Sequence, residues 1–301
     1  MFISFGTQGL KPGIDFTGGR NYVIRFDQEV KTNEIHAAMA QTFGGNPEVK
    51  TFGGNNQVRI TTNYKIESND LQVDREVEAM LYQALKGFYA KDISENVFTH
   101  HVDSRGIQSM QKVQPTIAQE LLWQAVWAVL ISLVLIFIYL AIRCRNWQFG
   151  LGGVMSLAHD ALLTVGLYSL FYKIMPFSME IDQSFIAAIL TVIGFSINNV
   201  VIIYDRIREN LRLYSKRDFY SNINHAINST LGRTINTSAS TIVVLLAIFL
   251  FGGEVIRGFI FAMFAGIIIG SYSGIFISPP LVFDLLRKAK KVNRQKVELL
   301  K

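Results

Sequence analysis

The chain has 301 residues, half of them hydrophobic and only 17% charged, with a formal net charge of +6. That balance excludes an ordinary soluble globular protein and reads as an integral membrane protein with one soluble portion. The single cysteine, Cys144, excludes an intrachain disulfide, and the basic excess lies in loops and tail without the aromatic-laced patch of a nucleic-acid binder, so it points to membrane orientation.

Met1 to Phe5 is too short and too poor in basic residues for a cleavable leader, and none is expected. From Gly13, the run Gly-Ile-Asp-Phe-Thr-Gly-Gly is turn-rich, and Asn21 to Asp27 alternates apolar and polar residues as a half-buried strand does. Thr32 to Phe43 reads as a helix with Thr32 as N-cap, Glu34 in its first turn and Gly44-Gly45 as its stop. Pro47–Phe52 and Gln57–Tyr64 predict a strand pair around a Gly-Gly-Asn-Asn turn. Asp70–Tyr89 predicts a second helix, and Asn96–Asp103 a last strand. The order β-α-β-β-α-β is the split arrangement of a ferredoxin-like domain, placed at residues 1–115.

Beyond Pro115 come five apolar runs, at about 120–142, 149–172, 183–204, 232–251 and 257–283, each long enough to cross a bilayer as a helix. They predict an α+β membrane protein: a helical bundle over 116–286 joined to the ferredoxin-like domain, with a basic tail at 287–301. Arg143 and Arg145 follow the first run, six Lys/Arg stand from Arg206 to Arg233, and the opposite loops 176–182 and 252–254 hold none. The excess of basic residues on one side puts the C-terminus in the cytoplasm and the N-terminal domain outside. An external domain needs a means of crossing, which predicts a further span before Met1. Trp123, Trp127 and Trp147 stand where interfacial belts are expected.

Polar residues inside the spans are the functional candidates, because each is costly there without a partner. In the second run Gly152, Ser156, Asp160, Thr164 and Tyr168 recur every four residues, one small and polar stripe that faces protein. Asp160 lies roughly 16 Å deep at ~1.5 Å per residue. Desolvation there favours the neutral acid, so Asp160 reads either as a proton carrier or as a neutral acid bonded to Thr164 or a neighbouring helix. His159 points about 100° away and is a second relay group or simply hydrogen-bonded. The third run is interrupted by Ser196, Asn198 and Asn199. The fourth places Thr234, Thr237, Ser238 and Thr241 at i, i+3, i+4 and i+7 behind Arg233, whose cation either snorkels or holds a nearby carboxylate. The fifth carries Gly258, Ala262, Gly266, Gly270, Gly274 and Ser278 every four residues, a groove for close helix packing, before Pro279-Pro280 kinks or ends it. Asp205, with Arg206, Arg208 and Glu209, reads as an interfacial ion-pair cluster.

Five of these segments together resemble the SecF family of bacterial export proteins: the motif Gly13, Asp15, Phe16, Gly18, Gly19; His159-Asp160; the run 188–210; Arg233-Thr234-Ile-Asn-Thr-Ser; and Leu250-Phe251-Gly252-Gly253 with the small-residue helix. The resemblance covers nearly the whole chain. It implies an RND-type bundle with a periplasmic ferredoxin-like domain, in the bacterial inner membrane. It also implies work beside the SecYEG channel with SecD, or as one half of a fused SecDF, near a YidC-like insertase, on unfolded secretory polypeptides and with a proton or sodium motive force. No cofactor, metal or nucleic acid is expected, and no enzymatic activity. Ion coupling would fall on Asn199, Arg233, Asp160, Asn198, Thr237 and Ser238. At Asn198-Asn199 the family usually has Asn-Asp, and an amide cannot titrate; either coupling is deficient, or it runs through Asp160, through a SecD acid, or through a cation such as Na⁺ held by amides and hydroxyls. Val113-Gln114-Pro115 replaces the usual Val-Gly-Pro before the second family helix. The alternatives are an RND-like exporter of small molecules or lipids, for which the outer domain is small, and an intramembrane protease, for which a second mid-bilayer acid is missing.

Overall fold

The computed structural model describes residues 10–43, 47–68, 70–100, 103–172, 174–175 and 177–299. The expected Gly44-Gly45 stop lies outside these residues, as does any leader. A single turn of helix, α1 (Ile14–Thr17), opens the described fold, and β1 (Gly19–Arg25) follows. Next come α2 (Thr32–Phe43), the hairpin β2 (Glu48–Phe52) and β3 (Gly54–Thr62), and α3 (Leu71–Leu85) with a short 3-10 turn. The sheet domain ends with α4 (Glu95–Thr99) and β4 (Gly106–Val113). The strands form one sheet in the order β2-β3-β1-β4, antiparallel throughout. That is the ferredoxin-like order.

Two local predictions fail. Residues 95–99 are helix, and the last strand begins at Gly106 instead of Asn96. Val97-Phe98 has strand-like bulk, but Ser94 caps the turn by accepting from the Val97 N–H at 3.4 Å, and Phe98 drops fully buried into the core. Thr32 is likewise the first helical residue of α2 and not its cap, since Lys31 O accepts from Glu34 and Ile35.

One sheet face packs on α2 and α3 through Tyr22, Ile24, Ile60, Ile35, Met39, Val77 and Leu81, all with negligible exposure. The other face, with Asn21, Val23, Arg59, Ser109 and Gln111, borders a 310 Å³ cavity closed by Asp15, Glu180 and Asp182. Alternation along the strands therefore turns the polar face towards the helical bundle.

The bundle consists of α5 (Pro115–Cys144), α6 (Trp147–Phe171), α7 (Gln183–Leu213), α8 (Phe219–Phe251), α9 (Glu254–Phe276) and α10 (Ser278–Leu299). Five stretches are long and apolar enough to cross a membrane, the fifth running from α9 into α10. The expected break falls between Phe276 and Ser278, where Pro279 and Pro280 open the new helix. Helix α5 exposes most of its apolar surface, including Trp123 and Trp127, whereas half of the fifth span is buried. The small-residue stripe of α9 explains that burial. A Cβ on Gly266 would run into Val192, one on Gly270 into Ser196, and one on Gly274 would touch Asn199 and Val200 at 3.8 Å. Side chains of α7 thus seat directly on the glycine backbone of α9, and the two helices pack closely.

Candidate ion-coupling site

The close approach of α7 and α9 places polar groups in the bundle interior. Asp160, Ser156 and Thr164 on α6, Ser196 on α7 and Ser273 on α9 are completely buried; Asn199, Thr234 and Ser238 are nearly so. Asp160 is the fourteenth residue of α6, about 20 Å from the helix start. The Thr164 hydroxyl does not reach its carboxyl; it turns back to donate to the Asp160 carbonyl at 2.8 Å. His159 Nδ1 lies 3.3 Å from Asp160 Oδ1, and the imidazole is one-third exposed, so it links the buried acid to the helix exterior. Beside the same carboxyl stand the hydroxyls of Ser273 and Ser196. Gly270 makes room for them, since its missing Cβ would lie 3.4 Å from Asp160 Oδ2.

Several of these atoms have no aligned hydrogen-bond partner among the described residues: Asp160 Oδ2, Ser156 Oγ, Ser196 Oγ, Asn199 Nδ2 and Thr234 Oγ1. Buried polar atoms are usually paired, and open ones grouped around an acid ask for a reason. The set holds one carboxylate, several hydroxyls able both to donate and to accept, and no fixed cation. Chemically it can exchange a proton or surround a small cation.

The other sequence candidates separate. Asn199 and Ser238 face the interior, the latter 2.6 Å from Ser271 Oγ on α9. Asn198 faces outward, and so does Thr237, whose hydroxyl donates to Arg233 O at 2.9 Å. Arg233 is exposed and makes no ion pair among the described residues. At the basic end of the bundle, Asp205 pairs with Arg143 at 2.7 Å and Arg208 at 3.4 Å, and Arg206 with Glu209 at 2.7 Å. Ser273 belongs to the small-residue helix that carries the family resemblance, but it is not among the expected coupling residues because it lies three residues past Gly270, off the four-residue stripe.

The motif at Gly13–Gly19 is a joint and binds no part of this cluster. Gly13 N–H donates to Ile181 O, and Ile181 N–H to Lys11 O, both at 2.9 Å. Asp15 accepts from the Gln183 N–H at 3.0 Å, at the start of α7, and from Gln111 Nε2 at 3.1 Å, on β4. A carboxylate at a helix N-terminus is favourably placed. Gly18 (φ 75°) sits against Pro115, where a Cβ would come within 3.0 Å. Phe16 contributes the N–H that closes the α1 turn on Gly13 O.

Residues 93–288 match the family described as protein export membrane protein SecD/SecF, C-terminal, and residues 3–30 match the SecD/SecF GG motif. A protein translocase subunit SecF from Rhodothermus marinus is 38% identical over 95% of this chain and 87% of its own length. The chain belongs to the SecF family. A SecF from Haemophilus influenzae is 34% identical over 93% of this chain and 78% of its own length. Among solved structures, SecDF from Thermus thermophilus, described as a translocon-associated membrane protein, superposes with a TM-score of 0.76 at 30% identity. It is matched over 95% of this chain, which spans 36% of the SecDF chain. A second SecDF structure, in a super-membrane-facing form, gives 0.62 at 29% identity. Like the rest of its family, this is a multi-pass membrane protein with an RND-like bundle.

Proposed function

We propose that the chain is an accessory subunit of Sec-dependent export that couples an ion gradient to movement of the polypeptide, with Asp160 as its own titrating group. The observation that carries the ion step is the open Asp160 Oδ2, completely buried beside the Ser196 and Ser273 hydroxyls. Asn199 faces the same interior but cannot release a proton; its role is to line the path. Arg233, exposed on α8, is free to meet a carboxylate of a SecD partner, which accounts for a cation with no ion-pair partner among the described residues. The basic residues gathered at one end of the bundle support a cytoplasmic C-terminus. They equally support an extracytoplasmic domain over 1–115, a membrane domain over 116–286 and a basic tail over 287–301. That outer domain handles the emerging unfolded chain next to SecYEG and a YidC-like insertase.

The test is secretion in cells depleted of their own SecF. Asp160→Asn and Arg233→Ala are expected to accumulate protein at normal levels and to slow export at least tenfold, as loss of a proton-transfer group does. Normal export in both variants would sink the proposal.

A further inference from the structure

Where the basic ends of the helices meet, a cavity of 740 Å³ opens that the ion-coupling site does not use. Arg145, just past α5, Arg208 and Arg212 on α7 and Arg217 in the loop before α8 line it, and no acidic residue does. Of the neighbouring acids, Asp205 pairs with Arg143 and with the lining Arg208, Glu209 pairs with Arg206, and Asp218 caps α8 through the Ser221 N–H at 3.2 Å. Arg145, Arg212 and Arg217 make no ion pair among the described residues.

The cavity is also held in shape. Asn222, 2% exposed, donates to Tyr214 O at 2.9 Å and to Arg217 O at 3.4 Å, which fixes the loop that carries Arg217. Arg208 Nη1 donates to Arg143 O at 2.9 Å, tying α7 to the end of α5. Gln148, 8% exposed on the wall, keeps its Oε1 without a partner. Asn146 and Ser215 add polar groups to the lining, and Phe149, Leu211, Phe219 and Leu286 give it an apolar wall.

Orientation bias alone accounts for basic residues at this end, but not for three arginines without an ion-pair partner among the described residues converging on one open basin with apolar side chains on its wall. Guanidinium forks match phosphate oxygens, and basic pockets between helices at a membrane edge suit phospholipid headgroups. We infer that this cavity binds the phosphodiester headgroup of an anionic phospholipid, its acyl chains lying along the apolar wall. A soluble phosphate shares the headgroup chemistry, but the apolar wall at the ends of membrane helices favours the lipid.

The test uses the intact chain in phosphatidylcholine vesicles, with Trp123 and Trp127 replaced by Phe so that Trp147, beside the cavity rim, is the sole reporter. Brominated phosphatidylglycerol is expected to quench Trp147 far more than brominated phosphatidylcholine at equal mole fraction. Each of Arg145→Gln, Arg212→Gln and Arg217→Gln is expected to cut that preference about fivefold. Lys216→Gln, an exposed charge that does not line the cavity, leaves it unchanged. Equal quenching by the two lipids, or equal loss with Lys216→Gln, would overturn the inference, the second showing only diffuse surface charge. Inorganic phosphate at millimolar concentration should not compete; if it abolishes the preference, the site takes soluble phosphate and the lipid assignment falls.

Discussion

Arg20, the residue after the Gly18-Gly19 pair, carries a completely buried guanidinium. It donates to Asp74 Oδ1 from Nη2 at 2.8 Å and from Nε at 3.2 Å, while Nη1 reaches Tyr64 O at 2.5 Å. Lys112 Nζ joins the same carboxylate at 2.9 Å. Burial pushes the Asp74 carboxyl up, but the hydrogen bonds and charges of Lys112 and Arg20 outweigh it and hold the group below the usual carboxylate range. Asp74→Asn leaves a buried cation without its counter-ion, a loss expected to cost about 3–5 kcal/mol. Amide exchange of β1 and β3 in the full chain reports it; unchanged protection would show the pair to be dispensable. The pH dependence has a definite sign. A depressed native value means the stabilisation is complete above the unfolded carboxylate value of about 3.9 and is lost as pH falls through the native one. The sheet should therefore loosen on acidification below about pH 4, and the Asn variant should show less of that dependence.

At the scale of elements, the seam between α7 and α9 decides whether the buried polar cluster exists at all. A methyl at position 270 would occupy the place of Ser196 Oγ, and one at 266 that of Val192. Gly270→Ala and Gly266→Ala are therefore expected to force the helices apart, costing about 1–3 kcal/mol each as overpacked cores do. Thermal unfolding in detergent checks the stability, and export should fall most for Gly270, whose neighbour is Asp160. Gly194→Ala on the exposed side of α7, where nothing lies within 4 Å, serves as the control. This seam was legible in the sequence because six small residues recur at one helical period. So was the α6 stripe through Asp160. Length and hydropathy placed the five spans, since a bilayer sets both. Facing was harder. Arg233, Thr237 and Asn198 each sit one residue from an inward-facing neighbour, and a ~100° step in helical phase separates lipid from interior. The strand at 106–113 was missed for a different reason: Gln108, Met110 and Lys112 alternate with Ile107 and Val113 only weakly, while the stronger apolar pair at 97–98 belongs to a capped helical turn.

The whole molecule turns on the joint between sheet and bundle. Three attachments hold it: Gly13 and Lys11 on Ile181, Asp15 on Gln183 and Gln111, and Gly18 against Pro115. A charged rim adds Lys50 to Glu180 at 3.2 Å, with Lys11 paired to Glu48. These contacts couple the buried Asp160 cluster to the sheet domain, because α7 carries Asn199 and Ser196 in its middle and its first residue, Gln183, donates to the motif. Asp182, which caps α7 through the Phe185 N–H at 2.8 Å, opposes the attachment: burial above all, and then the charges of Asp15 and Glu180, push its carboxyl above the usual range against the pull of the Phe185 bond. A raised native value stabilises the joint fully at low pH and less as pH rises through it. Asp182→Asn keeps a good cap and removes the repulsion, so at neutral pH it should tighten the joint. Asp15→Ala removes both hydrogen bonds and should loosen it, and Gly18→Ala should do the same by placing a Cβ against Pro115 in an extended positive-φ conformation that is essentially reserved for glycine and costs other residues about 1–3 kcal/mol. Spin labels at exposed positions 104 and 170, one on the sheet domain and one on α6, measure the outcome as a distance distribution: narrowed for Asp182→Asn and broadened for the other two. If all three variants gave the unaltered distribution, the motif would be a local turn and not a joint between sheet and bundle.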